Sequence, residues 1–166
     1  PLEEWLPDET LLKMAQQHNQ SETAFFVRTD EGYELRWFTT QYEINLCGHA
    51  TLAAAHVIFE YFDHPASTIV FSTRFVGELR VTRSGDWLTL DFPVGESEER
   101  DPPAEMLSAL GIERYLHARK GRAWLIELAS RDQVEALQPT IAAMMPGEHK
   151  VTVTAAGSGE YDFVSR

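Results

Sequence analysis

The sequence predicts an α+β protein built from two units. Both halves of the 166-residue chain combine short β segments with a few helices. Between them, residues 94–103 are acidic and proline-containing and carry almost no large apolar side chain, which is typical of a domain boundary. We therefore assign residues 1–93 to a first unit, residues 94–103 to a linker and residues 104–166 to part of a second unit.

The first unit is predicted to contain a helix, a hairpin, a second helix and a three-stranded meander. Apolar residues at helical spacing indicate a helix over residues 8–18, with Asp8 as its N-cap. Alternating apolar residues predict paired strands over residues 21–28 and 33–38. The meander strands are expected at residues 68–72, 77–82 and 87–92.

The second helix is the segment around which the first unit is organised. It begins at Cys47-Gly48-His49, and its apolar residues occupy nearly every face up to residue 62, so burial on all sides is expected. The first N–H groups of a helix have no partner in the preceding turn, and they lie at the positive end of the helix dipole. The start of this helix is therefore suited to binding a carboxylate or a phosphate.

The second unit is predicted to alternate short helices with strands. A helix over residues 104–110 ends at Gly111, a residue type favoured just after a helix C-terminus. Two further helices are expected at residues 132–137 and 141–145. Strands are expected at residues 122–128, 151–154 and 161–166.

Composition excludes several classes of function. The net charge of −12 disfavours nucleic acid and anionic membrane surfaces as partners. The longest apolar run is interrupted by His56 and Glu60 and is too short to span a membrane. The single cysteine, Cys47, excludes an intramolecular disulfide, and we expect a reducing, cytoplasmic location. The chain has no phosphate-binding glycine loop, hydrolase elbow, zinc-protease motif or calcium loop, so neither a cofactor nor a metal is expected.

Three side chains are candidates for chemistry, and residue types alone leave their roles open. A thiol at a helix N-terminus has a lowered pKa, so Cys47 is either a nucleophile or base or, alternatively, a small core residue. His49 is a general acid, a donor to a bound anion or a solvent-facing polar residue. Spacing alone favours a solvated carboxylate for Glu22, which stands at a junction between a helix and a strand.

Several motifs together resemble the phenazine-biosynthesis-like isomerases, the PhzF-like family. The resemblance is most specific at Ser21-Glu22-Thr23 and at residues 46–52, and it is weak between residues 93 and 150. The matching segments occur in the family's order, at residues 15–25, 35–39, 43–53, 77–79 and 161–166.

The resemblance implies a fold similar to diaminopimelate epimerase. In that fold each of two lobes is a curved, mostly antiparallel sheet around a central helix. The family's opening strand should precede Pro1, and a second anion-binding turn should follow Arg166. The chain is therefore expected to cover most of lobe 1 and part of lobe 2, and full activity is not expected of it in isolation.

The resemblance also implies a function. In the family, the glutamate of Ser-Glu-Thr is the general acid/base of a cofactor-independent isomerase or epimerase, and that position here is Glu22. Gly48 and His49 would hold the carboxylate of a small substrate, while Cys47 and Ser21 would have at most a minor role. Members are often homodimers, although no apolar stripe in this sequence requires one.

Two other functions stay open at this point. One is a protein of the same fold that binds small carboxylates, or regulates through such binding, without turnover. The other is a thiol-dependent racemase in which Cys47 is the base.

Overall fold

The computed structural model describes residues 1–140 and 150–166, and the predicted helix at residues 141–145 lies outside this range. The described chain forms two compact units, Pro1–Pro93 and Val94–Arg166. Each unit has its own sheet, its own helices and its own buried core. The predicted α+β class is confirmed. No helix among the described residues is both long enough and apolar enough to cross a membrane.

The first unit is a six-stranded sheet combined with two helices. The strands lie in the order β1-β2-β4-β5-β6, with the short β3 paired to β2. Only the pairing of β2 with β4 is parallel, and the helix α2 lies in the crossover between these strands. The elements are α1 (Asp8–His18), β1 (Thr23–Thr29), β2 (Gly32–Phe38), β3 (Glu43–Ile44), α2 (Gly48–Tyr61), β4 (Thr68–Thr73), β5 (Gly77–Ser84) and β6 (Trp87–Asp91).

The predicted hairpin and meander are both present. β1 and β2 pair in antiparallel register from Thr23 opposite Phe38 to Thr29 opposite Gly32. Gly32 has a φ of +147°, and a Cβ atom there would lie 2.5 Å from the backbone oxygen of Val70 in β4. This position therefore requires glycine, because a side chain would collide with the neighbouring strand.

Helix α2 packs against β1 and β6. The expectation that α2 is buried on every side is wrong, because one of its faces is exposed to solvent. Its inward face is formed by five residues: Ala50, Thr51, Ala54, Ala55 and Ile58. Ala53, His56 and Glu60 lie on an exposed face of the same helix, and Glu60 forms an ion pair of 2.6 Å with Arg83 of β5. The apolar residues on all sides of α2 therefore predicted more burial than the structure shows.

Asp8 is not the N-cap of α1 as predicted. Pro7 occupies that position without a side-chain cap, and Asp8 is the first helical residue. The Asp8 carboxylate instead accepts a hydrogen bond of 2.7 Å from Arg36 of β2. Arg36 also donates two hydrogen bonds, of 2.7 and 2.8 Å, to Glu43 of β3. This network ties α1 to the sheet, and its arginine hydrogen bond lowers the pKa of Asp8.

Over residues 94–140 and 150–166, the second unit is a five-stranded sheet in the order β11-β10-β9-β8-β7, in which only β9 and β10 are parallel. Glu98 and Glu99, inside the stretch assigned to a linker, form a strand of this sheet. Strand β8 was not predicted from the sequence, and Ala118 is its one buried residue. The elements are β7 (Glu98–Glu99), α3 (Ala104–Leu110), β8 (His117–Lys120), β9 (Trp124–Glu127), α4 (Arg131–Ala136), β10 (Val151–Ala156) and β11 (Phe163–Ser165).

Candidate active site

Glu22 lies immediately before β1, and its side chain is largely withdrawn from solvent. The side chain is 21% exposed, and its Oε2 atom is buried. Within the described residues this oxygen has no hydrogen bond. An ionised carboxylate accepts several hydrogen bonds in water, so an unpaired buried oxygen leaves capacity for a proton or a ligand.

The start of α2 supplies the opposite side of the site. Cys47 is its N-cap, with extended backbone angles and no side-chain cap. The backbone carbonyl of Cys47 accepts hydrogen bonds from Thr51, at 3.2 Å from its N–H and 2.6 Å from its hydroxyl. Thr51 is fully buried, so these bonds fix the first turn in place. The N–H groups of Gly48 and His49 have no acceptor within the helix.

Gly48 allows the helix to begin close to the sheet. A Cβ atom at this position would lie 3.3 Å from the ring of Phe92, tighter than an ordinary van der Waals contact. The glycine therefore permits close packing, and no unusual backbone angle is involved.

The structure brings three of the predicted residues together. His49 Nε2 lies 3.2 Å from Glu22 Oε2, and Cys47 Sγ lies 3.7 Å from His49 Nδ1. One ligand atom from each of the three side chains lies within 4.8 Å of the other two. The His49 side chain is 69% exposed, whereas Cys47 belongs to the core of the first unit. Ser21 is exposed.

The prediction of a lowered pKa for Cys47 is wrong. Burial raises the pKa of this thiol, and the negative charge of Glu22 raises it further, while the Ala50 backbone N–H opposes both effects. The raised pKa disfavours the thiolate form of Cys47, and the thiolate is the form that acts as nucleophile or base. The arrangement suits a packing role better than a catalytic one.

A groove of about 460 Å³ elsewhere in the first unit was not anticipated from the sequence. Trp5, Arg36 and Arg74 are among its lining residues. Both arginines are already ion-paired, Arg36 with Asp8 and Glu43 and Arg74 with the same two carboxylates. Since its charges compensate one another, the groove offers less chemistry than the Glu22 site.

No local pattern in the sequence indicated that Glu22 and His49 touch. The signal for Glu22 came from the Ser-Glu-Thr motif, and the signal for His49 came from the helix start. Together they place a carboxylate and an imidazole beside unpaired N–H groups at a helix N-terminus. Such a site can bind an anion and transfer a proton next to it.

The two α+β units define a protein of the diaminopimelate epimerase-like fold class. Comparison with known sequences places it more narrowly, because the family described as phenazine biosynthesis-like protein matches residues 1–166. The chain belongs to that family, and the predicted resemblance is confirmed.

Individual relatives agree with this assignment. An uncharacterized isomerase of Pseudomonas aeruginosa is 41% identical over 165 residues, which cover 99% of this chain and 63% of that relative. A crystal structure of a PhzF-family protein from Enterococcus faecalis superposes with a TM-score of 0.86 at 39% identity, over 99% of this chain and 63% of its own.

A more distant structure shares the fold alone. It is a predicted epimerase of Pseudomonas aeruginosa, with a TM-score of 0.61 at 15% identity over 90% of this chain and 60% of its own. The chain thus spans less than two thirds of the length of each of these three proteins.

Proposed function

We propose that this protein is a cofactor-independent isomerase or epimerase that moves a proton between carbon atoms of a small carboxylate substrate. Glu22 is the general acid/base. The observation that carries the proposal is the Glu22 carboxylate. Its Oε2 atom is buried, accepts no hydrogen bond among the described residues and lies 3.2 Å from His49 Nε2 at the start of α2. Membership of the family supports it, as does the similarity to a protein named as an isomerase.

Substrate binding follows from the start of α2. The N–H groups of Gly48 and His49 donate hydrogen bonds to the substrate carboxylate, and the helix dipole favours its negative charge. Because the first turn is fixed through Thr51, these donors are positioned before the substrate arrives. The carbon next to the bound carboxylate then faces Glu22.

The proton transfer needs only the Glu22 carboxyl group. Glu22 takes a proton from one carbon, and the electron pair of the broken C–H bond passes into the adjacent unsaturated or carboxylate group. The protonated Glu22 then returns the proton to a carbon of the same substrate, which restores the carboxylate for the next turnover. Contact with the His49 imidazole orients the Glu22 side chain between these two steps. Ser21 has at most a minor role, as does Cys47.

We also propose a cytoplasmic protein that acts on a small molecule, with a homodimer as the expected assembly. The net charge of −12 supports the exclusion of nucleic acid and of anionic membranes as partners.

Deuterium exchange tests the role of Glu22. The protein, expressed from its complete coding sequence, is incubated in heavy water with small unsaturated or α-substituted carboxylates, and deuterium on carbon is followed by NMR. Glu22→Gln keeps the shape of the side chain but cannot take up a proton, so exchange should fall at least about 100-fold.

Glu31→Gln is the matched control, since Glu31 is exposed at the opposite end of the hairpin from Glu22. It should leave the exchange rate unchanged. Exchange that survives in Glu22→Gln would refute the assignment. Ligand-induced thermal stabilisation without exchange in the wild type would identify a binding protein instead.

A further inference from the structure

The Glu22, Cys47 and His49 side chains present three different metal-ligand atoms at one point of the first unit. A carboxylate oxygen, a thiol sulfur and an imidazole nitrogen lie within 4.8 Å of one another. Zn²⁺ and related divalent transition-metal ions bind this mixture of donors, whereas Mg²⁺ and Ca²⁺ prefer oxygen alone. Sequence spacing gave no sign of this cluster, because Glu22 precedes a strand and the other two residues begin a helix.

Two of the three distances in the cluster match the edges of a metal tetrahedron. A tetrahedral zinc ion with ordinary bond lengths separates its sulfur and nitrogen ligands by about 3.6 Å, and its nitrogen and oxygen ligands by about 3.4 Å. The observed distances are 3.8 Å from Cys47 Sγ to His49 Nε2 and 3.2 Å from His49 Nε2 to Glu22 Oε2. Both lie within a few tenths of an ångström of these values, and the third pair, Cys47 Sγ and a Glu22 oxygen, lies within 4.8 Å.

Burial and mobility also suit a three-ligand site. Cys47 is held in the core as the N-cap of α2, which fixes the sulfur. Glu22 Oε2 has no hydrogen bond among the described residues, so coordination would break none there. His49 is largely exposed and can adjust its ring, and its side of the cluster gives an ion access from solvent.

Charge favours a cation at this point. A thiolate at Cys47 and the carboxylate of Glu22 would place two negative charges side by side in this cluster. A divalent ion between them removes that repulsion and displaces the thiol proton on binding.

We propose that Glu22, Cys47 and His49 form a binding site for a single thiophilic divalent transition-metal ion such as Zn²⁺ or Co²⁺, and that occupation of this site blocks the protein. The block rests on the proposed function, since a metal bound to Glu22 Oε2 occupies that oxygen and lowers the basicity of the whole carboxylate, which then no longer takes a proton from carbon. Metal binding itself does not depend on that function.

Cobalt spectroscopy tests the site directly. Co²⁺ is titrated into the purified protein, expressed from its complete coding sequence and treated with a chelator beforehand. Coordination by Cys47 should produce a thiolate-to-cobalt charge-transfer band in the near ultraviolet that saturates at one ion per chain. The band should be absent in Cys47→Ser.

Two further variants test whether all three ligands act together. Glu22→Gln and His49→Asn should each weaken Co²⁺ binding more than tenfold, because loss even of an outer-shell partner costs about 10- to 100-fold. His56→Asn is the matched control, since His56 is also exposed on α2 but lies outside the cluster. It should bind Co²⁺ as the wild type does.

Three results would overturn the site: no charge-transfer band in the wild type, a band that neither Glu22→Gln nor His49→Asn weakens, or equal weakening by His56→Asn. Circular dichroism of each variant shows whether it is folded. His49→Asn and Glu22→Gln change side chains outside the buried core, so they keep the test informative should Cys47→Ser be unstable.

The blocking effect is tested separately. Where the wild type exchanges deuterium, Zn²⁺ should abolish exchange, a chelator should restore it, and His49→Asn should raise the inhibiting Zn²⁺ concentration more than tenfold. Full exchange with the cobalt site saturated would refute the block. If no carboxylate shows exchange, the proposed function fails while the cobalt titration still decides the metal site.

Discussion

Gly32 is the position at which the structure makes its sharpest prediction about stability. It lies at the start of β2, with a φ of +147°, and a Cβ atom at this position would lie 2.5 Å from the backbone oxygen of Val70. Gly32→Ala should therefore incur two penalties. A backbone conformation reserved for glycine costs about 1–3 kcal/mol, and forcing a methyl group against a neighbouring strand costs about 1–3 kcal/mol more.

The expected total is about 2–6 kcal/mol, which is a large share of the stability of a single unit. Urea denaturation, followed by tryptophan fluorescence, measures this loss; Trp37 is buried in the first unit and Trp124 in the second, so the midpoint of the wild type is compared with that of the variant. The midpoint should fall clearly, with little change in slope.

Gly85→Ala provides the matched comparison. Gly85 also has a positive φ, +59°, but a Cβ atom at this position would meet no neighbouring atom within 4 Å. The substitution should cost only the left-handed backbone penalty of about 1–2 kcal/mol. Both variants lose the same unfolded-state freedom of glycine, so the difference between them reports the collision with Val70 together with the difference between the two backbone penalties. If Gly32→Ala is no less stable than Gly85→Ala, the close approach of β2 and β4 is refuted.

Two further predictions concern titrating groups. Because burial and Glu22 raise the pKa of Cys47, its alkylation by iodoacetamide should show a pH midpoint above that of free cysteine, and Glu22→Gln should lower that midpoint. Cys47→Ala should retain deuterium exchange. An alkylation midpoint of the wild type below that of free cysteine, or a loss of exchange in Cys47→Ala, would instead favour Cys47 as the base. The pKa of Asp8 is lowered, chiefly by its hydrogen bond from Arg36, so its stabilising effect should be present above about pH 4 and disappear as the pH falls through the lowered pKa. Asp8→Asn should lower the free energy of unfolding by less than about 1 kcal/mol at neutral pH, because the Asp8 carboxylate is 62% exposed. A difference in urea midpoint between Asp8→Asn and the wild type that persists near pH 2 would contradict a stabilising role of the ionised carboxylate.

Much of the secondary structure was predictable because it follows from local patterns. Alternating apolar residues located the hairpin and the meander, and Gly111 marked the end of α3 with the expected positive φ. Strand β8 escaped prediction because His117, Arg119 and Lys120 give it a polar sequence, and its pairing with β9 defines it as a strand. Sheet partners distant in the chain can override weak local preference.

The candidate site was predictable only in part. The motifs singled out Glu22, Gly48 and His49 individually, but the contact of 3.2 Å between Glu22 and His49 depends on how β1 packs against α2. Asp8 shows the same limit. Its residue type favours an N-cap, yet the approach of Arg36 from the sheet gives it an ion pair instead.

The sequence by itself determined the α+β class, the family and the helix entry at Cys47-Gly48-His49, because these depend on residue order and on motifs read along the chain. The tertiary structure decided which face of α2 is buried, which groups surround Glu22, and the direction in which the pKa of Cys47 moves. A helix N-terminus alone would lower that pKa. Burial in the core and the nearby Glu22 charge raise it, and both arise only when separate segments of the chain pack together.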